Sequence, residues 1–236
     1  MTSDRDLSII ERRLRAHYGP PTGPGLSDPF ALLLWEQVAY LVDDERRMHA
    51  FRLLEERVGL TPQAILKAAP ETLTDVAAAG GSIAVEERGH RMQRSALEVV
   101  ERWNGDLRAA LALPLPKALR ALARFPMIGE PGAEKILLFT RTQPLLALDS
   151  NGLRVLLRLG YGEEATNYAR SYRSVRASTA REERPDCDWL ISLHGLLRTH
   201  GQRLCRRTTP RCGECPVSDL CHYYSTRSRA VTERGA

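Results

Sequence analysis

Four cysteines near the end of the chain, Cys205, Cys212, Cys215 and Cys221, are separated by six, two and five residues. No other feature constrains the fold as strongly. Four thiolates within seventeen residues can converge on one metal centre, and the short loops between them must then wrap it. A zinc ribbon usually pairs two short Cys-x-x-Cys turns, and here only Cys212 and Cys215 form one. The spacing therefore favours an iron-sulfur cubane, with structural zinc as the alternative. Disulfides fit less well, because Met1 leads directly into charged residues with no signal peptide; a reducing, cytosolic setting is expected.

The chain has 236 residues, 43% of them apolar, enough for one large or two small domains with a real core. No apolar run approaches membrane-spanning length. The net charge of +5 is unevenly spread: from Thr166 onward there are 13 Arg and no Lys against 7 acids, a net +6, which leaves −1 for the rest. A clustered arginine excess points to a polyanion such as duplex DNA, although solvated helix faces produce similar clusters.

Almost every segment has helical periodicity. Leu7, Ile10 and Leu14 share a face before a breaker from Gly19 to Leu26, read as a crossing between two structural units. Asp28-Pro29 is a helix start, and the dense apolar run from Phe30 to Val42 behind it is expected to be a central buried helix. Thr61-Pro62 repeats that signal, Asn104-Gly105 is a stop, Leu113 to Pro116 is a boundary, and Arg120 to Phe125 is a short helix ended by Pro126. The expected fold is all-α, without repeats or low-complexity tracts.

From Phe125 to Phe139 the sequence gives a short helix, a tight turn bearing Met127 and Gly129, and a second helix opened by Pro131 and Gly132. This is the pattern of a helix-hairpin-helix, placed at about residues 120–139. Such a turn aims backbone N–H groups and the positive helix end outward, where a DNA phosphate can dock without its sequence being read. An ordinary helical corner has the same residues. Ten residues further on, Asp149 opens another apolar helix. It is either a plain cap or a carboxylate able to stabilise a cationic sugar and orient water.

The hairpin, Asp149, Leu193-His194-Gly195 and the four-cysteine segment together resemble the endonuclease III branch of the helix-hairpin-helix DNA glycosylases, over nearly the whole chain from about Phe30 to Cys221. The resemblance implies a [4Fe-4S] cluster on the four cysteines, a DNA-gripping hairpin, and catalysis by Asp149. It also implies a six-helix barrel over residues 27–143 beside a discontinuous cluster domain made of 1–26 and 144–236, with the active-site groove between them. The partner would be double-stranded DNA containing a lesion or mismatch, bound by a monomer in the cytoplasm.

The chain departs from the family pattern in the hairpin. Pro131 occupies the position of the lysine that forms a Schiff base in bifunctional members, and Met127 replaces a common glycine. The remaining amines are Lys67, Lys117, Lys135 and the N-terminus. Lys135 lies one helical turn beyond Pro131 and is the alternative amine, although a surface lysine is the simpler reading. With an acid and no positioned amine, the expected activity is hydrolysis of the N-glycosidic bond by a monofunctional enzyme. A non-catalytic lesion sensor, or a glycosylase with abasic-site lyase activity through another amine, stays open. Gln37 is the candidate to fill the gap left by an extruded base. Arg203, Arg206, Arg207 and Arg211 are candidates for phosphate contacts. Adenine excision ranks lower, since the acid it needs in the helix of Gln37 is matched by Leu32, with Glu36 nearby, and a further recognition domain is missing. Cys187 and His194 are read as structural.

Overall fold

Helix starts follow the local chemistry of the sequence. The computed structural model describes residues 6–21 and 23–226. Asp28 accepts from the amides of Phe30 and Ala31, with Pro29 in the first turn, and Thr61 does the same for Ala64 ahead of Pro62. The helices are α1 (Leu7–Tyr18), α2 (Pro29–Gln37), α3 (Asp44–Arg57), α4 (Pro62–Lys67), α5 (Pro70–Ala79), α6 (Val85–Trp103), α7 (Arg108–Leu111), α8 (Leu115–Leu122), α9 (Glu130–Phe139), α10 (Ser150–Leu159), α11 (Tyr168–Thr179) and α12 (Cys187–Arg203). Two short 3-10 turns, Cys212–Glu214 and Ser218–Leu220, follow. No strand occurs among the described residues, so the fold is all-α.

The chain divides into two compact units, one built from both ends, up to Gly23 and from Pro144 onward, and one from Pro24 to Gln143. In the middle unit α2 is the core element. Phe30, Ala31, Leu32, Leu33 and Leu34 are all at most 4% exposed, so the helix is buried on every side rather than along one stripe. Each of its large apolar side chains contributes about 1.5–3 kcal/mol of burial. Around it pack α3, α6 and α9, with α4 and α5 laid on α6. The unit holds eight helices, two of them the short α4 and α7.

Two boundaries differ from the sequence reading. The first hairpin helix starts at Leu115, because Pro116 falls in its first turn, where a missing N–H costs nothing, and it stops at Leu122. The run from Phe30 to Val42 is not one helix: α2 stops at Gln37, and Leu41 turns left-handed at φ 53°. Arg88 secures that turn. Its guanidinium, 2% exposed, donates to the carbonyls of Val38 at 2.8 Å, Gly80 at 3.1 Å and Ile83 at 3.0 Å, and also to Gly81. One buried cation thereby ties the α2–α3 loop to the α5–α6 loop.

In the unit built from the chain ends, α12 packs on α1 and α10, and α11 packs on α10. A Cβ on Gly201 would meet the Asn151 carbonyl oxygen at 2.8 Å, so glycine is what lets α12 approach the start of α10.

Candidate functional site

All four cysteines of the C-terminal segment line one pocket, together with Val155, Arg158, Leu159, His200, Leu204 and the Tyr223 and Tyr224 side chains. None forms a disulfide. Burial, followed by the neighbouring thiols, pushes Cys215 up to about 11, and burial also raises Cys221. Left to themselves, these sulfurs would hold their protons; a cationic centre reverses that balance. Two N–H donors already face them. Arg158 Nη1 lies 3.4 Å from Cys205 Sγ, and His200 Nε2 lies 3.5 Å from Cys215 Sγ. Tyr18, its phenol raised to about 12 chiefly by burial, lies 2.9 Å from His200 Nδ1; where the phenol donates, the Nε2 proton faces the sulfur. Burial holds His200 down at about 4, so the ring is neutral. Among the described residues no three His, Cys, Asp or Glu groups stand close enough to share a single ion. Four half-buried sulfurs lining one pocket, with N–H groups beside two of them, suit a sulfur-rich cluster held by Cys205, Cys212, Cys215 and Cys221.

Asp149 caps α10. Its Oδ1 accepts from the amides of Asn151 at 3.0 Å and Gly152 at 2.8 Å. Its Oδ2 accepts from Asn151 Nδ2 at 3.2 Å and is ion-paired with Arg198. The cap and the carboxylate at the positive end of a helix are thus the same feature rather than alternatives. Asn151 is held in turn by Arg154, whose Nη2 reaches its Oδ1 at 2.9 Å while its Nε reaches the Cys205 carbonyl at 3.0 Å. A continuous chain of side chains therefore joins Asp149 to the first cysteine.

The hairpin turn carries Met127 at φ 68°, 47% exposed, in the left-handed region that a glycine would fill without strain. Gly129 caps α9 in extended backbone, and a Cβ on Gly132 would crowd Ile128 Cγ2 at 3.3 Å. Pro131 lies in the first turn of α9. Lys135 is not a surface lysine. Its side chain is 19% exposed, and its Nζ sits 2.8 Å from Glu36 Oε1.

Gln37 is placed otherwise than the sequence reading requires. It is 1% exposed, and its amide donates to Ser95 Oγ at 2.8 Å and the Pro126 carbonyl at 2.9 Å. From that position it reaches no surface, because it lies on the last, inward turn of α2. The exposed apolar groups nearby are Tyr40 at 39%, Leu41 at 75% and Ile83 at 47%, all on the two loops tied by Arg88. Tyr40 thus lies outside the core helix to which it was assigned.

Arg203, Arg206, Arg207 and Arg211 are all exposed. Arg158 fixes the loop by donating to the carbonyls of Arg206 at 2.7 Å and Arg207 at 2.9 Å. Arg211 is already paired with Glu214 at 2.8 Å, and Arg203 lies over the Tyr18 ring at 5.8 Å. His194 Nδ1 donates to the Ala147 carbonyl at 2.7 Å, while Cys187 is half-buried at the start of α12. The histidine at the cysteines is His200. Its pairing with Gly201 repeats His194-Gly195 and was the sequence signal for it.

No family model matches the chain. Two solved structures share the fold. An endonuclease III–DNA covalent intermediate aligns over 94% of this chain and 97% of its own with a TM-score of 0.73 at 19% identity. A thermostable thymine-DNA glycosylase aligns over 93% and 97%, also at 0.73, with 17% identity. The shared fold is the endonuclease III type of helix-hairpin-helix fold. Among relatives by sequence, endonuclease III of Thermotoga maritima is 26% identical, covering 86% of this chain and 87% of its own. Endonuclease III of Sulfolobus acidocaldarius is 28% identical, covering 83% and 82%. In both sequence and fold the chain is therefore similar to endonuclease III.

Proposed function

We propose that this protein is a monofunctional DNA glycosylase of base excision repair. It would bind duplex DNA as a monomer, hydrolyse the N-glycosidic bond of a damaged or mismatched base, and leave the abasic strand uncut. The observation that carries this reading is an oriented carboxylate without a matching amine. Asp149 accepts from Asn151, Gly152 and Arg198, while Pro131 stands where the resemblance puts the family's lysine and the lysine next to it in sequence, Lys135, is paired to Glu36.

The target base must leave the stack before its bond is accessible. Leu41 and Ile83, exposed on loops pinned by Arg88, are the side chains proposed to fill the space it vacates; this role passes to them from Gln37. The hairpin amides around Gly129 and Gly132 and the guanidiniums of Arg203, Arg206 and Arg207 hold phosphates. As the C1′–N bond breaks, its electron pair leaves with the base, and the ionised Asp149 faces the cationic sugar. Water then adds to C1′, and its proton passes to the carboxylate. A [4Fe-4S] cluster on the four cysteines would supply a rigid hub for the arginine loop. Everything else follows from the chain's own residues.

The test is cleavage of labelled duplexes that each carry one candidate lesion, with every reaction split between direct loading and hot alkali. Scission only after alkali is the expected result and identifies the base. Scission without alkali, together with borohydride trapping, would assign lyase chemistry to Lys135 or another amine. Binding without any scission would favour a lesion sensor on this scaffold.

A further inference from the structure

Asp149 has one donor more than a helix start requires. The amides of Asn151 and Gly152 on Oδ1, with Asn151 Nδ2 on Oδ2, complete an uncharged capped turn. Arg198 adds a charge. It projects from α12, its side chain is 24% exposed, and Nη1 pairs with the same Oδ2, on a carboxylate only 12% exposed. Its neighbours one turn away on the same side of the helix, His194 and Gly201, are buried, so this face of α12 otherwise serves the core. A guanidinium cannot shed its proton to suit such a place, so its position has to be matched by a partner.

Resting on the assignment of Asp149 as the catalytic carboxylate, we propose that Arg198 is its positioning residue: it keeps Asp149 ionised, fixes the direction of Oδ2, and so sets the lowest pH at which the bond is cleaved. At this degree of burial, lost hydration works to put a proton on the carboxyl, and an opposite charge in direct contact works against it. The charged and titratable groups facing Asp149 include Arg198 from α12, Arg154 from its own helix and Tyr168 from α11. Arg154 acts at one remove, through Asn151 Oδ1. Tyr168, pushed up to about 12 by burial and then by the Asp149 charge, stays a neutral phenol across the working range. Arg198 is the group that brings a full positive charge onto the carboxylate itself. The sign follows: a contact that lowers the Asp149 pKa contributes above the ordinary carboxylate range and is lost as the pH falls through the lowered value.

The test compares the cluster-loaded full chain with Arg198→Gln, Arg198→Met and Arg198→Lys. Its two readouts are the titration of the Asp149 carboxyl carbon by NMR and the pH profile of single-turnover base excision. Gln and Met are expected to raise the Asp149 midpoint by about one pH unit or more, with the acid limb of the profile moving by the same amount. Lys should return most of both, because it keeps the charge. An unmoved midpoint in whichever neutral variant folds overturns the proposal, and so does an acid limb that stays put while the midpoint moves. A wild-type midpoint at or above about 3.9, the value of an unperturbed Asp, overturns it without any variant. Failure of the underlying reading looks different. Asp149→Asn would then excise bases at the wild-type rate, whatever the titration of Asp149 does in the Arg198 variants.

Discussion

Asp149 and Glu36 are both largely buried carboxylates joined to a cation, and they differ in what else holds them. Asp149 sits at the start of α10, where two backbone amides and a side-chain amide fix its plane before Arg198 is added. Glu36 sits near the end of α2, away from any helix start, and holds Lys135 across to α9 at 2.8 Å. A carboxylate at the positive end of a helix is preorganised to stay charged and to point one way. A carboxylate in a helix wall is oriented chiefly by its partner. The contrast makes the first pair suited to face a developing sugar cation and the second suited to lock two helices together.

The strongest way to break this contrast is to neutralise the two acids separately. Asp149→Asn keeps most of the cap hydrogen bonds and should cost 10²–10⁴-fold in single-turnover excision, the usual reach of acid–base catalysis, with duplex affinity nearly unchanged. Glu36→Gln should cost less than about tenfold. Equal losses in both variants would end the distinction.

The amine half of the comparison is tested next. Lys135→Gln removes the Lys135–Glu36 ion pair from a site one-fifth exposed and should lower stability by about 1 kcal/mol, read as a fall in Tm. Borohydride should trap no protein–DNA crosslink in the wild type or in the variant. A crosslink present in the wild type and lost in Lys135→Gln would make Lys135 the nucleophile.

How far the sequence foretold these two sites depends on the range of the chemistry involved. Asp28-Pro29, Thr61-Pro62 and Asp149 announce helix starts because a cap is a matter of three adjacent residues. The four cysteines announce a centre because their loops are short. Arg198 went unseen, since its bond to Asp149 spans 49 positions and depends on which face α12 turns toward α10. His200 went unseen for the same reason: it forms the second of two His-Gly pairs six residues apart on one helix, and only packing says which meets the sulfurs. Gln37 was misplaced because α2 stops there. A helix end two residues earlier or later decides whether that side chain lies inside or out, and that boundary is set by the Arg88 clamp from another helix.

The arginine loop sharpens the comparison at the level of binding rather than chemistry. Arg206 and Arg207 are exposed, with their carbonyls pinned by Arg158, whereas Arg211 is spent on Glu214. Replacing both Arg206 and Arg207 by Gln should lower the slope of log affinity against log salt by about 2, one for each lost phosphate contact, for damaged and undamaged duplex alike. Arg211→Gln should move that slope by less than either. A loss confined to damaged duplex would place these side chains at the base instead of the backbone.

The smallest effect expected lies in the hairpin, where Met127 holds a left-handed φ of 68° with half its side chain in solvent. An L-residue there carries about 1–2 kcal/mol of backbone strain. Glycine removes that strain, but it gives back about 0.5–1 kcal/mol through the extra freedom of the unfolded chain. Met127→Gly should therefore raise stability by no more than about 1 kcal/mol, a Tm increase of about 2–4 °C for a chain of this size. The informative quantity is affinity measured beside it. If the hairpin grips phosphate through its backbone alone, the glycine variant binds duplex at least as well as the wild type despite losing an exposed apolar side chain. If affinity falls while Tm rises, the Met127 side chain itself touches DNA, and the hairpin is more than a pure backbone clamp.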